Sequence, residues 1–408
     1  MGSSGEKMRQ PRLITRPFPK RRTVAVVLAS LLMSAVVATQ SMQAQTLRTL
    51  HAFHGPDGET PFASLIRDSA GNLYGTALEG GTSSYFGTVF KLDKHHKLTV
   101  LYNFAGKADG ADPQSTLLRD AKGNLYGTTP AWEYGEGVVY KIDPSGTETV
   151  LHVFGGSDGS NPFGSLVQDK SGNLYGTSSS GGTFGAGTVF KLDTNGELTT
   201  LYTFTGGADG GTATGSMVRD AAGNLYGTCQ TGGSAGFGTV YKLHTTGKLT
   251  VLHSFNGTDG AFPYGGVIAD AAGSLYGTTD NGSSMNNAGG TVFRVEESTG
   301  SFTSLHSFDG TGAVEGDTPY GTLARDSGGN LYGANYAGGG GSCGSGGCGT
   351  IWKLDTNNQL TVLTNFGKGY QGKSPKGGVV VDKAGNLYGT TSLGAVCRYC
   401  GTVFKIAP

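Results

Sequence analysis

Seven residues fall at one position of a recurring pattern, and they are the first candidates for chemistry. Aligning the loose motif Pro-x-Gly-x-Leu along the chain brings Phe62, Gln114, Phe163, Thr214, Tyr264, Tyr320 and Lys376 into register. Four aromatic rings, with Gln114 and Lys376 departing from them, could form a platform for sugar rings or for an extended peptide. The alternative is that the rings only cover the inner ends of neighbouring structural units.

An enzyme acting on a polysaccharide, a lyase or a glycoside hydrolase, needs two positioned acid/base groups. The irregular candidates are Tyr264, Tyr320 and Lys376, together with Glu59, Asp112 and Glu315 in the loops just upstream, with Lys373 nearby. The histidines point away from catalysis. His51, His152, His253 and His306 share one repeat position, held by Tyr102, Tyr202 and Thr364 in the other copies, and such recurrence means packing or surface. His54, His95, His96 and His244 fall in turns or loops with no evident acid beside them. There is no Gly-x-Ser-x-Gly elbow and no His-Glu-x-x-His pair. Glycine runs such as Gly338 to Gly341 are not phosphate loops, because no helix follows them. The expected function is therefore non-enzymatic: a binding or scaffold protein with no catalytic residues, no metal and no cofactor, its ligand a carbohydrate or a protein.

The cysteines suggest an oxidising compartment. Cys343 and Cys348 fall in one loop, Cys397 and Cys400 in the same loop of the next repeat, and close pairs in a secreted protein read as local disulfides. A four-cysteine zinc site joining the two loops is the alternative. Short closed loops add only modest stability. Cys229, alone after a strand, reads as a small buried hydrophobe.

The elements that must position these groups are set by the hexapeptide Gly-Asn-Leu-Tyr-Gly-Thr. It occurs seven times, with two conservative changes, placing Tyr74, Tyr126, Tyr175, Tyr226, Tyr276, Tyr332 and Tyr388 about fifty residues apart. One unit carries four β-rich runs: Thr149 to Phe154, Ser165 to Asp169, Asn173 to Thr177 and Thr188 to Asp193. Their short links suit antiparallel neighbours. Asp-x-x-Gly precedes every signature, with the aspartate expected to cap a turn and the glycine to supply a positive φ. Arg67, Arg119, Arg219 and Arg325, next to those aspartates, are expected to form surface pairs worth under about 1 kcal/mol each.

In such a unit Leu166 and Val167 face opposite ways, as do Val189 and Phe190. A small sheet apolar on both faces cannot stand alone, so seven must shield one another. The expectation is an all-β, seven-bladed β-propeller of four-stranded antiparallel blades; a β-solenoid is the alternative. The array opens with a lone outer strand, Leu47 to Phe53, and finishes on a third strand, Thr402 to Ile406. Joining the two completes the last blade and closes the ring.

Residues 1–44 read as a secretory signal peptide: basic residues ending in Lys20-Arg21-Arg22, an apolar run from Thr23 to Ala38, then small residues to Ala44. An uncleaved N-terminal anchor is the alternative. This segment holds seven of the 30 basic residues and one of the 30 acidic ones, leaving 23 against 29 in residues 45–408. A mildly acidic body excludes nucleic acid as a natural partner. After cleavage no membrane span is expected, and the expected state is a monomer.

The tandem pairing of Gly-Asn-Leu-Tyr-Gly-Thr with Gly-Thr-Val-Phe-Lys-Leu-Asp (Gly187 to Asp193) resembles the GloVer tandem-repeat proteins of bacteria over residues 46–408. The resemblance implies a secreted or surface protein of propeller-like repeats and brings no known activity. Many members carry a C-terminal anchor. This chain stops at Ala407-Pro408, which favours a released or periplasmic protein. A looser likeness to NHL propellers rests on the Asp-x-x-Gly-Asn hairpin.

Overall fold

A computed structural model describes residues 1–2 and 45–408, apart from 83–84, 107, 131–134, 283–288, 312–313, 341–342, 344–346, 368–370 and 395–396. The signal peptide expected over 1–44 therefore lies almost wholly outside the described residues.

Seven antiparallel sheets follow one another along the chain. The third is typical: Val167–Gln168 pairs with Leu174–Ser178, which pairs with Thr188–Leu192, which pairs with Leu198–Thr203. The last sheet contains Val380–Val381, Leu387–Thr391 and Thr402–Ala407, and its fourth strand is Thr46–Ala52 from the other end of the chain. Thr46 lies opposite Ala407 and Ala52 opposite Thr402, so the ring is closed as its end strands require. The protein is a seven-bladed β-propeller. Blade six has one addition, the short strand Asp317–Pro319, which pairs with an extended second strand Leu331–Ala337. Other blades make the same contact as a single bridge, such as Glu59 with Glu79 or Ser160 with Ser180.

The core is a set of seven clusters, each shared by adjacent blades. Phe190 and Leu166 pack backward on Phe154 and Val139 of blade two. Val189 and Val167 pack forward with Phe204 against Tyr241 and Leu225 of blade four. The predicted division of faces holds, and burying each such side chain contributes about 1.5–3 kcal/mol. Gly176 of the signature is explained by this packing. A Cβ there would sit 2.5 Å from the Phe190 ring, and at Gly333 2.2 Å from Trp352. The outer edge of the third-strand aromatic abuts the signature glycine.

At the signature end, the aspartate caps as expected. Asp169 Oδ1 accepts the backbone N–H groups of Ser171 and Asn173, while Oδ2 accepts Asn173 Nδ2 and the Tyr175 hydroxyl at 3.1 Å. Burial pushes its carboxyl up, but the bonds from Asn173 and Tyr175 outweigh that and hold it below the ordinary range. Gly172 takes φ +92° to close the turn. The arginines behave differently from expectation. They reach across to the preceding blade and stack on its signature tyrosine: Arg119 on Tyr74 at 5.5 Å, Arg219 on Tyr175 at 5.3 Å, Arg325 on Tyr276 at 5.7 Å, Arg67 on Tyr388 at 5.6 Å. Arg67 and Arg325 also approach the preceding blade's aspartate, Asp382 and Asp270. The guanidinium is a clasp between blades, because its planar cation gains more over a ring than in water.

Cys343–Cys348 and Cys397–Cys400 are disulfides, with Cα atoms 5.4 and 5.0 Å apart, and Cys229 is buried. Among the described residues no helix is long and apolar enough to cross a membrane.

Candidate functional site at the channel mouth

The seven aligned residues meet. Phe62, Gln114, Phe163, Thr214, Tyr264, Tyr320 and Lys376 line one central cavity, to which every blade contributes. What brings them there is a local strain that the sequence does not announce. Two positions upstream, Thr60, Asp112, Asn161, Thr212, Phe262, Thr318 and Ser374 all adopt φ between 51° and 59°. Aspartate and asparagine tolerate this region, but threonine and phenylalanine do not, and in six blades a proline follows. Such a conformation costs on the order of 1–3 kcal/mol and persists only where its surroundings enforce it. Here they do. The Asn161 N–H donates to Glu136 O of the preceding blade, and its carbonyl accepts Ser179 N–H of its own second strand. Thr60 repeats this with Tyr399 O and Leu78 N–H, and Ser374 with Cys348 O and Ser392 N–H. Thr60, Asp112, Asn161, Thr212, Phe262 and Ser374 are thus rivets, each donating its N–H to a carbonyl of the preceding blade, and they turn the next two residues into the channel.

The disulfide loops support two of these rivets. Ser374 bonds the carbonyl of a disulfide cysteine, and Thr60 bonds Tyr399, inside the Cys397–Cys400 loop. Both bridges therefore sit at the joints on either side of blade seven, which carries the ring closure.

The mouth is irregular. Tyr264 and Tyr320 stack with centroids 4.0 Å apart, and Phe62 meets Tyr320 edge-on at 5.7 Å. Lys376 Nζ lies over Phe62 at 4.6 Å and over Tyr336 at 5.1 Å. Among the described residues no carboxylate forms an ion pair with Lys376, and burial pulls its ammonium below the ordinary lysine range. Burial likewise pushes the Tyr320 hydroxyl well up, with Tyr264 adding to it.

Two residue sets were missed by sequence alignment alone. Two positions below the mouth lies a hydroxyl belt: Ser165 Oγ is 3.0 Å from Ser216 Oγ, Ser216 Oγ is 3.2 Å from Thr322 Oγ1, and Ser64 Oγ accepts the Gly378 N–H at 2.7 Å. Gly266 and Gly378 take the belt position in blades five and seven. A Cβ on Gly378 would sit 1.9 Å from Thr322 O, so backbone replaces side chain there. Extending the same alignment by two residues would have found the belt. The second is Asp280, just past the second strand of blade five. Burial and the neighbouring Asp317 push its carboxyl up to about 6. Its Oδ1 is buried without a hydrogen-bond partner. The other blades place Leu78, Pro130, Ser179, Gln230, Tyr336 and Ser392 there, and that singularity was its signal.

The cavity holds about 50 Å³. That is space for a few waters and not for a sugar ring, so a ligand must lie across the mouth rather than enter the channel. None of Glu59, Asp112 and Glu315 is among the described residues that line it. Glu315 accepts the His306 imidazole at 3.0 Å. That bond belongs to a rim pattern shared by His152 with Asp158 and His253 with Asp259. The recurrent histidines are indeed packing elements. One expectation about the others fails: His54 Nδ1 lies 2.8 Å from Asp57 and so has an acid partner.

The family model for the Gloeobacter/Verrucomicrobia repeat matches residues 34–236, 131–345 and 213–408. The chain belongs to that repeat family. Among solved structures it is similar to the extracellular domain of the hybrid two component system BT4673 from B. thetaiotaomicron. The TM-score is 0.59 at 11% identity, over 88% of this chain and 39% of that one. It is also similar to the extracellular domain of BT3049 from the same organism, with TM-score 0.56 at 14% identity over 89% and 41%. The chain thus spans about two fifths of those proteins' lengths, and at these identities the likeness shows the propeller fold alone. No curated protein matches.

Proposed function

We propose that this protein is a non-enzymatic, extracytoplasmic binding propeller that takes a carbohydrate chain bearing carboxylate groups across its channel mouth. The observation that carries this reading is the pairing of half-buried aromatic rings with Lys376, a half-buried ammonium that among the described residues has no carboxylate in an ion pair beside it. Sugar rings present apolar C–H faces that pack on tyrosine and phenylalanine. A partly desolvated ammonium gains most from an incoming anion. The cavity beneath is too small to engulf a ring, which suits an extended chain lying over Phe62, Tyr320 and Tyr264. Two disulfides and the expected leader over residues 1–44 support a location outside the cytoplasm.

Titration with oligogalacturonate and with a neutral oligosaccharide of equal length tests the reading. The acidic chain is expected to bind at least tenfold tighter, and Lys376→Gln to erase the difference. Tyr320→Ala is expected to weaken both. Equal binding of the two chains, or preference for a peptide library, overturns it. Assay of the same mixtures for released sugars decides against the enzymatic alternative: any turnover that survives purification makes the mouth a lyase or hydrolase site.

A further inference from the structure

His51, His54 and Asp57 form a cluster that no other blade repeats. His51 closes the ring-sealing strand, and its Nε2 lies 2.7 Å from Asp57 Oδ2. His54 follows in the loop, and its Nδ1 lies 2.8 Å from the same oxygen. The other carboxylate oxygen is already occupied, since Oδ1 accepts the His54 backbone N–H at 2.9 Å. The geometry points to a binding site for one zinc-class divalent cation, held by His51 Nε2, His54 Nδ1 and Asp57 Oδ2.

The comparison between blades carries the argument. After the outer strands of blades two and four the same loop carboxylate takes one imidazole, His152 on Asp158 at 2.7 Å and His253 on Asp259 at 3.0 Å. Its second oxygen takes the backbone N–H of Gly155 or Asn256, at the place of His54. One histidine therefore satisfies the structural need, and the second is surplus to it. Packing does not demand His54 either, because its side chain is 65% exposed. Yet it turns a ring nitrogen onto an oxygen that already faces another imidazole.

All three donor atoms lie within 4.8 Å of one another. Zinc binds imidazole nitrogen and carboxylate oxygen at about 2.0–2.2 Å in a tetrahedron, which sets donors about 3.4 Å apart, so each imidazole nitrogen needs to draw back from Asp57 Oδ2 by about 0.7 Å. A two-nitrogen, one-oxygen set suits zinc or copper rather than calcium or magnesium. The backbone bond to Oδ1 fixes the carboxylate, as outer partners do at metal sites, and His51 is oriented by edge contact with Phe53 at 5.0 Å. The exposed side of His54 leaves the fourth position to water. Because His51 belongs to the strand that completes blade seven, the ion would pin the ring's closing joint.

The test is calorimetric titration of the untagged, chelator-treated full chain with zinc chloride, alongside thermal melting. One equivalent of zinc is expected to bind and to raise the melting temperature. His54→Ala and Asp57→Asn are each expected to weaken binding at least tenfold. His54→Ala should leave the zinc-free melting temperature nearly unchanged, as its glycine counterpart beside His152, Gly155, implies. His152→Ala serves as the matched control and should bind zinc as the parent does. The proposal is overturned if zinc does not bind, if binding survives His54→Ala, or if it is lost instead on replacing the adjacent surface pair His95 and His96.

Discussion

The two ends of the channel obey different rules. At the signature end, six blades repeat one network of aspartate, asparagine and tyrosine hydrogen-bonded within 3.1 Å. Blade five keeps its aspartate–tyrosine bond with Ser274 for the asparagine, and arginine from the next blade lies over the tyrosine in four joints. At the mouth, the backbone is just as regular, down to a strained φ in every blade, but the side chains it presents are of five different kinds. Uniform residues there would have meant packing. A uniform backbone carrying varied side chains is the ground on which the mouth is proposed as a ligand site.

The sharpest way to break this contrast is at the ring closure. Deleting residues 46–53 removes the outer strand of blade seven and the fully buried Phe53, and exposes two blade faces at once. The cooperative thermal transition is expected to disappear; an unchanged melting curve would mean that the blades stand without the ring. Next comes a comparison inside one blade. Phe190→Ala should cost about 3–5 kcal/mol in denaturant unfolding, whereas Phe163→Ala at the mouth should stay within about 1 kcal/mol. Equal costs would make the mouth rings structural. Asp169→Ala strips four hydrogen bonds from one signature turn and should cost about 2 kcal/mol.

The last effect has the opposite sign. Asp280 has a folded pKa raised to about 6 from an ordinary 3.8, so its proton is held more tightly in the folded state. Stability is therefore full below the unfolded value and declines as pH rises through about 6. Asp280→Asn should remove that decline, raising stability at pH 8 by on the order of 2 kcal/mol and changing little at pH 4. Parallel melting of both proteins across pH 4–8 checks this, and a stabilisation of equal size at both ends would assign it to something other than ionisation.

Much of the frame was legible. Seven tyrosines at a steady spacing gave the blade count, alternation on strands such as Val189-Phe190 gave the two-faced core, and unmatched strands at the ends gave closure. The mouth was legible only as a register. That Phe62 and Lys376 meet over a cavity follows from seven-fold geometry, which brings one position of every repeat to one axis. Side-chain partners across blades were not legible: the arginines sit beside their own turn aspartates in sequence, yet reach the neighbouring tyrosine in space. Nor was the strained backbone, because the residues that bear it range from asparagine to phenylalanine. Strain imposed by hydrogen bonds from another blade leaves no mark on residue type.

The pairing of Thr46 with Ala407 also sets an order of events. A chain emerging from its amino end delivers this strand first and finds a place for it last, after the other repeats have appeared. Until then it is a strand without a hydrogen-bonding partner, exposed to any other unfinished copy nearby. Contacts so distant along the polymer form slowly, and domains caught with open strand edges aggregate. The geometry that leaves the finished molecule without a seam makes its assembly depend on patience, or on a helper that shields the first strand until the last one arrives.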